Sequence, residues 1–321
     1  MFKAKVILDS INSDGNRLTS IELTYPRFIH AEFMTHRDRA RNAASSRAIP
    51  WKAKGPKCTI KEMPEGAIPI GKDIFDEISL NPFETYEYYK PNCMYAMIRR
   101  NPVVPLSFDG EQKGMQSAGP IKDQDEATKI WLEARSNALL AADRLANLGV
   151  HKSICNRLVE PFMWMTVLCT ATEWKNFFRL RCHPAAEKHF QKIAWMCREA
   201  LNNSKPTPID KGGWHMPYID WEDQILIAQD YRNRALEVTK KVSAARCARL
   251  SYLTQDGKRD IEEDLKLAER LIRPPGDIDE EVMHASPFEH VAQAGTKQDR
   301  SGPFKGWLQY RKEFSNENVE G

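Results

Sequence analysis

Apolar and small residues recur at intervals of three and four across residues 125–148, at Ala127, Ile130, Trp131, Ala134, Ala138, Ala141, Leu145 and Leu148. That spacing follows the 3.6-residue turn, so the stretch reads as a long helix with one covered face. No other part of the chain commits so plainly to one conformation. Asp123 and Asp125 stand near its start, where acids suit the free N–H groups, and Gly149 is placed to end it. This helix reads as structural.

Around it the chain alternates between strand and helix signals. Residues 3–11 and 18–24 read as strands on either side of the turn signal Ser13-Asp14-Gly15-Asn16, with Leu18, Ile21 and Leu23 on a partly alternating apolar face. An apolar run fills 162–169, and the polar segment TATEWKNFFRLR follows over 170–181. Pro184 suits a first helical position and opens a helix burying Phe190, Ile193, Ala194, Cys197 and Leu201. Helices are also expected over 221 to about 242 and over 261–272, the latter stopping before Pro274-Pro275-Gly276, while ARCARLSY at 245–252 reads as mixed. Residues 51–122, rich in Pro, Gly and Lys, read as an irregular insert with one short helix over 93–100. Within it, Gly114-Met115-Gln116 is compact and by spacing says little. Residues 291–321 read as a polar tail.

A chain of 321 residues can bury a large core, as one big domain or two small ones. Its formal net charge is only +3, so nucleic acid is weakly supported as the principal partner. There is no run of about eighteen apolar residues, and the start MFKAKVILDS lacks the pattern of a signal peptide. The expectation is a cytoplasmic protein without membrane association. The seven cysteines, Cys58, Cys93, Cys155, Cys169, Cys182, Cys197 and Cys247, are odd in number and scattered, with no C-x-x-C pair. Neither a zinc site nor a disulfide framework is indicated, and most read as reduced fillers.

The positive charge is concentrated in residues 26–50, PRFIHAEFMTHRDRARNAASSRAIP, with four arginines between Arg37 and Arg47. If the segment is helical, Arg37, Arg41 and Ser45 share one face. Interleaved alanines let a ligand approach the backbone, and guanidinium forks and hydroxyls suit phosphate oxygens. The same residues also read as a solvated basic helix, or as one resting on nucleic acid. Farther on, Asn176 and Arg181 lie among Trp174, Phe177, Phe178 and Leu180, either as snorkelling side chains or as groups aimed at a ligand.

Several segments together resemble the flavin-dependent thymidylate synthases, especially their longer, phage-type members. That family's signature is R-H-R, seven variable residues, then S, usually with N before the S and S-x-R at its close. Here Thr35-His36-Arg37 is followed by a segment containing Asn42 and then by Ser45-Ser46-Arg47, with Thr35 in place of the first arginine. Arg157 and Pro161 match an R-x-x-x-P element, and TEWKNFFRLRCHPAAE at 172–187 is similar to the segment supplying flavin and nucleotide contacts. ARLS at 248–251 and SPFEH at 286–290 match two further elements, which in most members precede the signature. Their late position resembles a circular permutation.

The resemblance implies reductive methylation of dUMP to dTMP. Methylenetetrahydrofolate donates the carbon, reduced FAD the hydride, and NADPH restores the flavin. It implies Arg181 as the catalytic cation at the edge of the base, where stabilised charge makes C5 a better nucleophile. Glu32, Thr35, Ser45, Ser46, Arg47 and Arg157, with Arg181, match nucleotide-binding positions. His36, Arg37, Asn42, Thr172, Asn176, Ser251 and His290 match cofactor-binding positions. Ser45 has no adjacent base and is assigned binding, not covalent attack. Thr35 for arginine, Glu32 for a usual glutamine and Ala43 for a usual acid leave open a different C5 modification, or dCMP as substrate. A nucleic-acid-binding protein using the segment from Arg37 to Arg47, and a relative that kept the fold and lost activity, are the remaining alternatives. The implied architecture is a single α+β domain over 1–321, a twisted, mainly antiparallel sheet flanked by helices with the loop-rich insert outside, usually in a homotetramer with active sites built from several subunits.

Overall fold

The first twenty-six residues form the hairpin that their alternation dictates. In the computed structural model of the chain, which describes residues 1–70, 80–114, 116–252, 260–273 and 283–317, β1 (Lys3–Asn12) and β2 (Arg17–Pro26) pair antiparallel, from Lys3 opposite Thr24 to Ile11 opposite Arg17. Asn12 organises the turn: its Oδ1 accepts from the backbone N–H groups of Asp14 and Asn16, and its carbonyl accepts from Gly15. Gly15 has φ of 80°, a left-handed conformation that glycine adopts without penalty.

The elements that follow are α1 (His30–Met34), β3 (Ala40–Ala43), β4 (Lys54–Thr59), β5 (Ile68–Pro69), β6 (Thr85–Tyr89), α2 (Met94–Arg100), α3 (Gln124–Asn147) and α4 (Lys152–Cys155). Then come β7 (Trp164–Ala171), α5 (Lys175–Arg181), α6 (Lys188–Asn202), β8 (Thr207–Ile209), β9 (Trp214–His215), α7 (Trp221–Tyr231), α8 (Ala235–Tyr252) and α9 (Ile261–Ile272). Short strands β10 (Ala292–Ala294), β11 (Arg300–Ser301), β12 (Phe304–Lys305) and β13 (Trp307–Gln309) close the chain. The fold is therefore a mixture of α and β. Among the described residues no helix is long and apolar enough to cross a membrane, and all seven cysteines are free.

The chain clusters into two compact units, one comprising Met1, residues 26–30 and 45–165, the other residues 2–25, 31–44 and 166–321. In the first, α3 confirms the periodicity, but its covered face is turned from the one expected. Leu139 and Ala142 are buried and Trp131, Ala138 and Leu145 half-buried, whereas Ile130 and Leu148 are exposed. Trp131 sets that orientation: its indole N–H donates to the Val103 carbonyl at 2.8 Å, and its ring meets Phe28 and Phe162 edge-on. The stretch read as irregular carries, besides the expected short helix α2, an antiparallel sheet in the order β4-β6-β5. Lys54-Gly55-Pro56-Lys57 looks like loop sequence because β4 is largely exposed; the buried Tyr88 of β6 supplies the inward anchor. The expectations on Met115 and on Pro274-Pro275-Gly276 lie outside the described residues.

The second unit is built on a five-stranded sheet, β3-β7-β2-β1-β8, antiparallel where β1 meets β2 and β3 meets β7, and parallel at the β1–β8 edge. Helix α6 lies on β1 with Phe190, Ile193, Ala194 and Cys197 fully buried. It starts at Lys188 and not at Pro184, because the Glu187 carboxylate caps it, accepting from the Phe190 N–H at 2.8 Å. The helix expected over 221 to about 242 breaks at Arg232, whose φ of 38° is foreign to a helix, and α8 then absorbs the segment read as mixed. Residues 292–309, inside the stretch read as a tail, carry the short strands β10 to β13, with Phe304 and Trp307 fully buried. Gly306 (φ 75°) is required there: a Cβ would meet the Asn12 and Asn16 side chains within 3 Å.

Candidate active site

The basic segment is not a helix. After a 3-10 turn (Arg27–Ile29) and the five-residue α1, residues 35–39 are irregular and 40–43 are strand β3, paired with β7 from Ala40 opposite Thr170 to Ala43 opposite Val167. The face that would join Arg37, Arg41 and Ser45 therefore does not form. Two arginines explain the outcome. Arg39 turns inward, its guanidinium 4.5 Å from the Phe177 ring centre and 5.1 Å from that of Trp174, and pairs with Asp38 at 2.7 Å. Arg41 donates to the carbonyls of Met34 and His36 at 3.0 and 2.9 Å, tying down the chain after α1. Both guanidinium groups are spent on structure, while Arg37 and Arg47 are exposed.

Within the second unit the structure joins three of the residues singled out in the sequence. Arg181, at the end of α5, donates from Nε to His36 Nε2 at 2.9 Å and lies 4.4 Å over the Phe190 ring. That bond makes His36 the acceptor, so the neutral ring carries its hydrogen on Nδ1. Burial, reinforced by the cationic neighbours Arg39 and Arg181, holds the His36 imidazole down at about 4. Its ring stands edge-on to Phe177 and Phe190. Burial also lowers the Arg181 guanidinium, against the opposing pull of the Glu32 carboxylate. Glu32 Oε2 is itself buried with no hydrogen-bond partner among the described residues. Thr35 is exposed, its hydroxyl donating to the Glu32 carbonyl at 2.7 Å.

The other predicted cofactor positions of this unit are more dispersed. Asn42 is buried and donates to the Cys247 carbonyl at 2.7 Å, binding β3 to α8, in whose last turn Ser251 lies with its side chain outside the described residues. Asn176 and Arg37 are exposed, and half-buried Thr172 accepts from the Lys305 N–H at 3.3 Å. His290 is fully buried, with Nδ1 bonded to Thr170 at 2.7 Å and Nε2 without a partner among the described residues.

In the first unit, Ser45, Ser46 and Arg47 form a turn held to the 3-10 helix that carries Arg157 (Asn156–Phe162). Asn156 donates to the carbonyls of Ser46 and Ile49 at 2.7 and 2.8 Å, and the Ser46 hydroxyl donates to Glu160 at 2.5 Å. Ser46 is thus committed to a protein partner, while Arg47 and Arg157 are exposed cations on neighbouring segments.

Sequence reasoning missed the groups that hold His290. From Thr170 the hydrogen bonds continue to Ser20 Oγ (2.6 Å), to His215 Nε2 (2.9 Å) and from His215 Nδ1 to Ser10 Oγ (2.8 Å). The available signal was a polar side chain at an inward position of an otherwise apolar strand, as at Ser20 and Thr170. Burial holds both histidines at about 3 and therefore neutral. Orphaned buried donors and acceptors of this kind, including Trp174 Nε1, fit a planar ligand rich in hydrogen-bonding edges, such as a flavin.

No family model and no curated protein matches the chain. Among solved structures it is similar to a UMP/dUMP methylase, PolB from Streptomyces cacaoi, bound with 5-Br dUMP. The identity is 12%, covering 63% of this chain and 90% of that one, with a TM-score of 0.41. The same protein bound with 5-Br UMP matches at 11% identity and a TM-score of 0.40, covering 63% and 88%. Likenesses of this degree assign the chain no activity.

Proposed function

We propose that this chain is a flavoenzyme that modifies C5 of a deoxypyrimidine mononucleotide, converting dUMP to dTMP with methylenetetrahydrofolate as carbon donor and NADPH as reductant. The observation that carries the reading is the Arg181–His36 pair, two residues from separate matched motifs joined by a 2.9 Å hydrogen bond. A half-buried guanidinium over an aromatic ring, beside an imidazole kept neutral, presents a fixed positive charge that water screens poorly. Such a cation stabilises charge developing on a pyrimidine carbonyl without reorganising.

FAD would be held by His36, Arg37, Asn42, Thr172, Asn176, Ser251 and His290, and supplies the hydride when bound. The chain's own residues orient the base through Arg181. The resemblance assigns Arg47, Arg157 and Ser45 to phosphate and ribose, which guanidinium forks and a hydroxyl suit. Absorbance of the purified protein across the flavin bands, with and without dUMP, tests the reading directly. Absence of both bound flavin and FAD affinity rejects it.

One observation favours a second reading. Glu32 is an acceptor only, sits in the field of Arg181, and has an unsatisfied buried oxygen. A carboxylate accepts from the cytosine N4 amino group and has nothing to accept from uracil O4. Incubation with dUMP and with dCMP, folate donor and reductant, followed by mass spectrometry of the nucleotides, separates the two.

A further inference from the structure

Five fully buried side chains, Ser10, His215, Ser20, Thr170 and His290, form one unbroken line of four hydrogen bonds. Each hydroxyl has one hydrogen, each neutral imidazole one N–H, and among the described residues none of the three hydroxyls has another partner. Four arrangements then supply a hydrogen to every link. In the first, Ser10 donates to His215 Nδ1, His215 Nε2–H to Ser20, Ser20 to Thr170, and Thr170 to His290 Nδ1. The group left over is a single N–H, on His290 Nε2. In the other three His290 donates from Nδ1 to Thr170, and two groups are stranded: one hydroxyl hydrogen, on Thr170, Ser20 or Ser10, and the His290 Nε2 lone pair. A stranded buried polar group is costly, so the first arrangement wins.

We propose that Ser10, His215, Ser20 and Thr170 are positioning residues that lock His290 in its Nε2–H tautomer and present that N–H to a neutral acceptor of a bound heteroaromatic ring, such as a carbonyl oxygen. A neutral donor fits such an atom better than a phosphate, whose charge it cannot compensate. The choice of ligand rests on the proposed function; the locked tautomer does not.

The test is a long-range proton–nitrogen imidazole spectrum of the uniformly labelled full-length protein at neutral pH, with signals assigned from His290→Gln and His215→Gln. Both rings are expected as neutral Nε2–H tautomers. Nδ1–H forms, or a protonated ring, overturn the proposal. Ser10→Ala lies four links from His290 and removes the donor that sets the direction, so the His290 tautomer ratio should fall towards about one to one. Thr170→Val should do the same and Thr170→Ser restore it; a ratio unmoved in a folded Ser10→Ala protein refutes the relay. FAD and dUMP, added separately to the wild type, provide the ligand arm. One of them should shift the His290 Nε2–H resonance, and Ser10→Ala should weaken that ligand's binding about 2-fold, since half of the free protein then holds the wrong tautomer. Binding without any shift overturns the ligand assignment. Failure of both compounds to bind rejects the functional reading and this assignment together, and the tautomer spectrum still decides the relay.

Discussion

On the proposed reading the chemistry turns on Arg181, whose charge is held from two sides, by the His36 imidazole and the Phe190 ring. Arg181→Ala should lower kcat by about 10²- to 10³-fold, the scale on which a single charge-stabilising donor acts. Arg181→Lys should recover only part of the loss, since ammonium keeps the charge but not the planar fork. Turnover of dUMP, with circular dichroism confirming the fold, checks both. The buried histidines make a second prediction, and its sign follows from proton counts. His215 and His290 titrate at about 3 in the native state against an ordinary 6.5, so below 6.5 the unfolded chain binds protons that the native chain refuses. Stability is therefore complete above about 6.5 and is lost as pH falls towards 3, by up to about 1.4 kcal/mol per pH unit for each histidine. Denaturant midpoints between pH 7 and 4 should fall, and the slope should shrink in His215→Gln. His36 and Arg181 are singled out through the motifs they match, Thr35-His36-Arg37 and residues 172–187; by composition alone Arg181 among its aromatic neighbours also reads as a snorkelling side chain. Ser10, Ser20 and Thr170 could not be singled out, since their roles exist only once four strands have brought them into one line.

Helices α7, α8 and α9 are joined by buried charge. Arg246 on α8 reaches Asp223 on α7 at 2.6 Å and Asp264 on α9 at 2.8 Å, and Arg249 adds a second bond to Asp264. Removing one partner leaves an uncompensated charge in low dielectric, so Asp264→Ala should cost about 3–5 kcal/mol. Lys266→Ala, which breaks an exposed pair with Glu263, should leave the denaturation midpoint nearly unchanged. Chemical denaturation of the two variants measures the contrast. Elements were legible where local periodicity was strong: the β1–β2 hairpin, α3 and α9 all fall within a few residues of expectation. They were illegible where distant partners decide. Strand β3 looks helical by composition and is a strand because β7 supplies its hydrogen bonds and Arg39 finds aromatic rings to cover. The break between α7 and α8 depends on a left-handed residue that is an arginine, with no glycine or proline to announce it.

For the molecule as a whole, the remaining contest is between a mononucleotide and a polymeric nucleic acid, and charge accounting weighs against the polymer. The sequence concentrates four arginines between Arg37 and Arg47, which on a helix would make a phosphate-binding stripe. Folding removes two of them, since Arg39 is 3% exposed and Arg41 is engaged by backbone carbonyls. A protein releasing counterions at two phosphates has a slope of log affinity against log salt near −1.8 on duplex DNA, whereas dedicated binders with six to ten contacts lose about 10³- to 10⁵-fold between 50 and 200 mM salt. With a net charge of only +3 there is little long-range field to make up the difference. Fluorescence polarisation of labelled single- and double-stranded DNA should therefore show weak binding and a shallow salt slope. Arg37→Ala and Arg47→Ala should each flatten it by at most about one further charge. A steep slope with submicromolar affinity at physiological salt would mean that cations elsewhere on the surface assemble a track the basic segment does not supply, and would return the polymer to first place.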